Sequence, residues 1–121
     1  MKKFLVLFRA PAKSIEQIMR ATPEQQKIGM DKWMAWSKTA AEALVDMGAP
    51  LGKTSRVTKE QGASPTSDDL CGYSIIEAES KEALAVLLKG HPHFMMPGAT
   101  IDLVETLTFF SGGRAWDVKE T

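Results

Sequence analysis

The sequence is poor in the residues that build most reactive sites. It holds one cysteine, Cys71, one tyrosine, Tyr73, and two histidines, His91 and His93. A single cysteine excludes an intramolecular disulfide, so a reducing compartment, the cytoplasm, is the expected setting. Nothing beside Cys71 in the sequence would lower a thiol pKa, which argues against a nucleophile and for a small buried side chain. Net charge is missing as well: 15 basic residues balance 15 acidic ones. Without a basic excess there is no general phosphate-neutralising face, so no nucleic-acid partner is expected. Low net charge also reduces repulsion between copies. No apolar run reaches membrane-spanning length, and no membrane partner is expected. The run Phe4-Leu5-Val6-Leu7-Phe8 follows two lysines but stops at Arg9 and Pro11, too soon for a secretory leader. A phosphate loop, a dinucleotide fingerprint and a nucleophile elbow are all absent, and no cofactor is expected.

What is present suits one globular domain over residues 1–121. At this length the chain buries roughly two thirds of its unfolded surface, enough for one core. Phe4 to Phe8 reads as a strand buried in mid-sheet. Ser14 can cap a short turn through Ile15, Ile18 and Met19. Thr22-Pro23-Glu24-Gln25 is a sharper start signal, with Thr22 as cap, Pro23 at the first helical position and Gln25 completing a capping box. Ile28, Trp33, Trp36, Ala40, Ala43, Leu44 and Met47 then recur at helical spacing, and Gly48 with Pro50 marks the stop.

Leu51 to Thr58 reads as a second strand, and the polar stretch Lys59 to Asp69 as a mobile loop in which Asp68 and Asp69 are solvated. Leu70 to Ala78 is a third strand. Ser80 caps a helix whose apolar face is Ala83, Leu84, Leu87 and Leu88, ended by Gly90. Ala99 to Thr108 alternates as a fourth strand, with Ile101, Leu103, Glu105 and Leu107 on one side; a flexible tail is expected from about residue 111.

Four strands and two helices in the order βαββαβ specify an α+β fold, the ferredoxin-like split βαβ sandwich. Right-handed crossovers place both helices on one face of the sheet. The other face needs a cover, and a second copy of the chain supplies it, so a homodimer is expected.

Several segments carry a family resemblance. Phe4 to Phe8, Trp33-x-x-Trp36 with the later Gly48, and Gly72-Tyr73-Ser74-Ile75-Ile76-Glu77-Ala78 with Ser80 form its first part. Gly90-His91-Pro92-His93 and Gly98-Ala99-Thr100-Ile101-Asp102 complete it. In these the chain, up to about Leu107, resembles the YCII-related (DGPF) family. The resemblance implies a dimeric α/β barrel with a cleft between the open sheet face and neighbouring loops. Most such proteins have no established activity. Some relatives look like enzymes using a His–Asp pair, for example in dechlorination of aromatic rings, and some are associated with sigma factors. In the enzyme-like relatives the histidine lies on the first helix and the aspartate precedes a proline after the second. Here Asp31 and Trp33 stand in the first neighbourhood and His91 precedes Pro92. The pair would thus be exchanged, His91 with Asp31.

The candidate residues follow. His91 and His93 flank Pro92, and either can serve as a base near neutral pH. Alternatively, His91 is a cation at the preceding helix end and His93 packs beside Phe94. Two histidines without cysteine or a clear carboxylate fall short of a metal site. Trp33, Trp36 and Tyr73 can stack on a flat ligand, or the tryptophans can be core. Met30, Met34, Met95 and Met96 adapt to a ligand or fill gaps. Arg9, ending the first strand, can meet an anionic ligand or pair with surface acids. The catalytic candidates are His91 with Asp31; the ligand-binding candidates are His91, His93, Arg9, Trp33 and Tyr73. The functional expectation is a small-molecule-binding protein. The alternatives are an acid–base enzyme acting on a small, aromatic molecule and an interaction module in transcription regulation.

Overall fold

Phe4, Val6 and Phe8 alternate with Leu5, Leu7 and Arg9, and the first set is almost wholly buried while the second is half-buried. That alternation builds the central strand β1, Lys2–Arg9. The computed structural model describes residues 1–66, 68–108 and 119–120. After β1 come α1 (Ala12–Met19), α2 (Pro23–Thr39), β2 (Leu44–Pro50), β3 (Thr54–Thr58) and β4 (Gly62–Thr66). They are followed by β5 (Leu70–Ala78), α3 (Lys81–Leu88), a 3-10 turn (Pro92–Met95), β6 (Thr100–Glu105), β7 (Leu107–Thr108) and β8 (Lys119–Glu120). The fold is therefore α+β, with three α-helices and an antiparallel sheet among the described residues.

The main sheet has the order β2-β5-β1-β6, every neighbouring pair antiparallel. β1 pairs with β5 from Lys2↔Ala78 to Arg9↔Leu70 and with β6 from Phe4↔Glu105 to Arg9↔Thr100. This register puts Phe4, Val6, Phe8, Ile76, Ala78, Ile101 and Leu103 on one face. Leu84 and Leu88 of α3 complete the buried cluster, and Trp33 and Trp36 of α2 pack against it. Each large side chain buried there contributes about 1.5–3 kcal/mol. The opposite face presents Leu5, Leu7, Tyr73 and Ile75, half-buried, and Asp102 and Val104, exposed; none of these belongs to the core cluster. Among the described residues no helix is long and apolar enough to cross a membrane.

Local chemistry sets the helix starts. Thr22 Oγ1 accepts from the Gln25 amide and Gln25 Oε1 accepts from the Thr22 amide, a complete capping box. Ser80 Oγ accepts from the Ala83 amide at 3.1 Å. Ser14 is not a cap: it lies inside α1, buried, and its Oγ donates to the Pro97 carbonyl at 2.6 Å.

Three expectations on elements are corrected. The long helix ends at Thr39, and Leu44–Pro50 is an edge strand. Apolar spacing at Ala43, Leu44 and Met47 continues the helical rhythm, but the open edge of β5 captures this stretch: the Glu77 amide donates to the Ala43 carbonyl at 2.8 Å. Ile28 and Met47, placed on the apolar helix face by spacing, are exposed. The second strand of the sheet is thus β2. The expected strand over Leu51 to Thr58 forms over Thr54–Thr58, outside the main sheet, and pairs with Gly62–Thr66, which falls in the expected loop. That hairpin has no core face (Val57 is 74 % exposed), so no apolar alternation announces Gly62–Thr66. The last expected strand is split: β6 ends at Glu105, and Leu107–Thr108 pairs with Lys119–Glu120. The rest of the expected flexible tail lies outside the described residues.

Edge strand β2 is irregular, with two register shifts against β5. Gly48 lies within the second, between Asp46 and Ala49, at φ 77, its amide held by Asp46 Oδ1 at 2.8 Å. A Cβ on Gly48 would fall 1.7 Å from the Tyr73 carbonyl oxygen, whereas one on Gly62, at φ 65, meets nothing within 4 Å. Both substitutions strain the backbone by about 1 kcal/mol. Gly48→Ala is expected to lose about 3 kcal/mol or more, because β2 must also separate from β5, and Gly62→Ala only about 1 kcal/mol. Urea unfolding of the two variants decides; equal losses would mean that β2 does not hold this register.

Candidate functional site

The loop after α3 is built around its two histidines. The His91 amide donates to the Leu88 carbonyl at 3.0 Å, closing the helix end, and Pro92 then starts the 3-10 turn. Proline forces the preceding residue into extended backbone, and His91 has φ −64, ψ 136. In that conformation its side chain caps the turn: Nδ1 accepts from the His93 amide at 2.9 Å.

His91 is 2 % exposed. Its ring lies 4.3 Å, centroid to centroid, from both Trp33 and Trp36 and 5.0 Å from Phe8. Because Nδ1 is an acceptor, the neutral ring carries its hydrogen on Nε2. That atom is buried without a hydrogen-bond partner among the described residues. Surrounding rings offer at most a weak N–H to π attraction. Burial, and secondarily the nearby His93, lower the His91 pKa to about 4. The ring is therefore neutral at pH 7 and is not a cation at a helix end.

His93 is buried too, 1 % exposed. Its Nε2 lies 2.8 Å from the Arg9 carbonyl and 3.0 Å from that of Thr100. Two acceptors require Nε2 to carry the hydrogen, which it shares between the end of β1 and the start of β6. The ring packs edge-on to Phe8 with centroids 5.2 Å apart.

Arg9 points to the other side of the sheet. Its Nε donates to Asp102 at 2.7 Å, and Nη1 donates to Asp69 at 2.7 Å and Asp68 at 3.1 Å. The bond to Asp69, then that to Asp102, holds the guanidinium pKa above its usual value, and Arg9 holds the Asp69 carboxyl below the usual range. One cation among three carboxylates leaves this cluster net negative. Tyr73 is on the same face, opposite Leu7 and Ala49.

The sequence candidates thus divide into two groups. His91, His93 and Trp33 meet under the helices around Phe8; Arg9 and Tyr73 lie on the open face. Asp31 is exposed on α2, and no hydrogen bond or ion pair joins it to either histidine. Among the described residues no group of three or more His, Cys, Asp or Glu is placed to hold a metal ion.

Beside His91 a groove of about 520 Å³ opens between α2 and the 3-10 turn. Trp36, Pro92, Phe94 and Met95 form its walls, with Lys32 and Lys89 bordering it. A second hollow, about 370 Å³, shares Lys89 and Phe94 and is otherwise lined by apolar residues including Leu88, Ile101 and Leu103. Trp36, assigned to the core by spacing, is both: it packs on the cluster, donates Nε1 to the Leu87 carbonyl at 3.4 Å and walls the groove. The two lysines carry no sequence signal, since solvated lysines on helices are ordinary.

Acid should weaken the fold through His91. Unfolded, its pKa is near 6.5; folded, about 4. Between those values the unfolded chain binds a proton that the native ring does not. Stability is thus full above 6.5 and falls as the pH drops to about 4. Discounted for partial solvent screening, the loss is on the order of 2 kcal/mol. His91→Phe keeps the ring but not the titration. It is expected to lose about 2 kcal/mol less than the unsubstituted chain between pH 7 and pH 4 in urea unfolding; identical slopes would deny His91 this role.

No protein-family profile matches the chain, and no curated protein does. Among solved structures it is similar to 5-chloro-2-hydroxyhydroquinone dehydrochlorinase (TftG) from Burkholderia phenoliruptrix AC1100, determined in complex with 2,5-dihydroxybenzoquinone. The TM-score is 0.50 and the identity 14%, over 83% of this chain and 90% of that one. The likeness is one of fold: an antiparallel sheet with helices.

Proposed function

We propose that this chain is a YCII-related, ferredoxin-like protein that forms a homodimeric α/β barrel and binds a small flat organic molecule in the groove beside His91. The observation that carries the binding reading is the groove itself. Its volume, about 520 Å³, lies in the range of small-molecule sites, and Trp36 and Phe94 offer it aromatic surface. The sheet order β2-β5-β1-β6 supports the ferredoxin-like assignment, because β1 to β2 and β5 to β6 each skip one strand. Leu5, Leu7, Tyr73 and Ile75 support the dimer: they are an apolar sheet face that a second sheet would cover. The bound quinone of the similar fold is a ligand of the proposed kind.

Binding is a better account than catalysis. A general base needs a free lone pair within reach of its proton. The one lone pair of neutral His91 already accepts from the His93 amide, and His93, 1 % exposed, is buried with its Nε2–H held by two carbonyls. Asp31 would have to leave the solvent side of α2 to act as partner.

Light scattering on a sizing column is expected to give twice the 13.3 kDa of one chain. Leu7→Arg, at the centre of the open face, should yield folded monomer, judged by circular dichroism; an undisturbed dimer would remove this interface. For the groove, 2,5-dihydroxybenzoquinone at a hundred times its dissociation constant should stabilise the protein by about 2.7 kcal/mol. Phe94→Ala, on an exposed wall, should weaken binding roughly tenfold at little cost in stability. Binding indifferent to Phe94 would place the ligand elsewhere.

A further inference from the structure

We infer that the groove beside His91 takes a monoanion, a flat aromatic carboxylate. This rests on the small-molecule reading above and adds the ligand's chemical class. None of the residues lining the groove is acidic, and two ammonium groups border it, those of Lys32 and Lys89. Among the described residues neither pairs with a carboxylate. Lys32 Nζ has one partner, the thioether Sδ of Met95 at 3.5 Å, a weak acceptor. A third unmet donor, the buried Nε2–H of His91, belongs to a ring that lines the same groove.

The whole chain is electroneutral, so local charge here is a matter of placement. Across the sheet, Arg9 sits among Asp68, Asp69 and Asp102 and is neutralised in excess. The groove has the opposite imbalance. A helix end explains part of it, since Lys89 caps the C-terminus of α3, where a cation is favoured. It does not explain Lys32, which lies about two turns before the end of α2.

The walls narrow the ligand further. Trp36 and Phe94 present ring surface, and the apolar hollow beyond Lys89 and Phe94 has room for a second ring or an alkyl substituent. A phosphate dianion suits the site less well. Both helix ends at the groove are C-terminal, and the partial negative charge of their carbonyls repels a compact double charge. A singly charged carboxylate on an apolar frame meets the two lysines and loses little to those carbonyls.

Calorimetric titration of the full chain with 2-naphthoate and with its neutral isostere 2-naphthamide tests the inference. The acid is expected to bind about tenfold more tightly than the amide. Lys32→Gln combined with Lys89→Gln should bring the acid to the level of the amide, a tenfold loss, and leave the amide unchanged. Raising salt from about 20 to about 300 mM should weaken the acid alone. Both lysines are exposed, so the variants should fold, as circular dichroism will check. Equal binding of acid and amide, indifferent to both lysines, overturns the anion and leaves the groove as a site for neutral rings. If neither compound binds and 2,5-dihydroxybenzoquinone also fails, the groove reading itself falls and the anion falls with it.

Discussion

Phe8 is the side chain on which the rest of the structure converges. It is 1 % exposed at the end of the central strand, and its ring meets Trp33, His91 and His93 at 5.1, 5.0 and 5.2 Å. Through these three contacts one aromatic ring joins β1 to α2 and to the loop after α3. The loop would otherwise be a short polar segment with little to hold it. Its histidines secure it from two directions: His91 fills the space between the tryptophans, and His93 reaches past Phe8 to the carbonyls of Arg9 and Thr100. The groove wall exists because that loop is pinned.

Local signals were legible where local chemistry decides the outcome. Thr22 with Gln25, and Ser80 with the Ala83 amide, behave as their sequence predicts because a cap is satisfied within four residues. Within Leu70–Ala78, residues 71–78 alternate strictly between half-buried and buried, the pattern by which the strand could be read. Leu44–Pro50 could not: Ala43, Leu44 and Met47 keep helical spacing, and only the unpaired edge of β5, distant in sequence, turns them into a strand. Gly62–Thr66 lacks a buried face and therefore lacks a pattern, while its partner Thr54–Thr58 was legible as a strand but not as part of a separate hairpin. For the site, the sequence located the Gly90–His93 loop but not the orientation of its rings. Nothing in the order of His91, His93 and Arg9 along the chain hinted that the sheet separates the Arg9 side chain from the two rings.

Charge is sorted by that same sheet. The chain carries equal numbers of acids and bases, yet the open face gathers Asp68, Asp69 and Asp102 around one arginine while the groove lining has two lysines and no acid. A dimer formed through the open face would surround the negative clusters with apolar contact from Leu5, Leu7 and Ile75. Arg9 then has a structural reason to hold three carboxylates, since an acidic cluster near an interface is costly unless paired. That arrangement argues against reading Arg9 as an anion receptor and leaves the lysine-bordered groove as the place where an anion is welcome.

The choice of histidine at position 91 follows from these constraints. A residue before Pro92 must cap the 3-10 turn with a side-chain acceptor, and aspartate, serine or asparagine usually does so. Here the cap is 2 % exposed and enclosed by Phe8, Trp33 and Trp36. A carboxylate would have to bury its charge among those rings, at a cost of several kcal/mol. Serine or asparagine would leave the space between the tryptophans unfilled. Neutral imidazole supplies the acceptor at Nδ1, fills the aromatic box and brings no charge. Its cost is the unpaired hydrogen on Nε2, a desolvation penalty of about 1–3 kcal/mol. The unpaired hydrogen is enclosed with the ring, so the residue that caps the turn and fills the box also carries this cost, while its ring forms part of the groove lining.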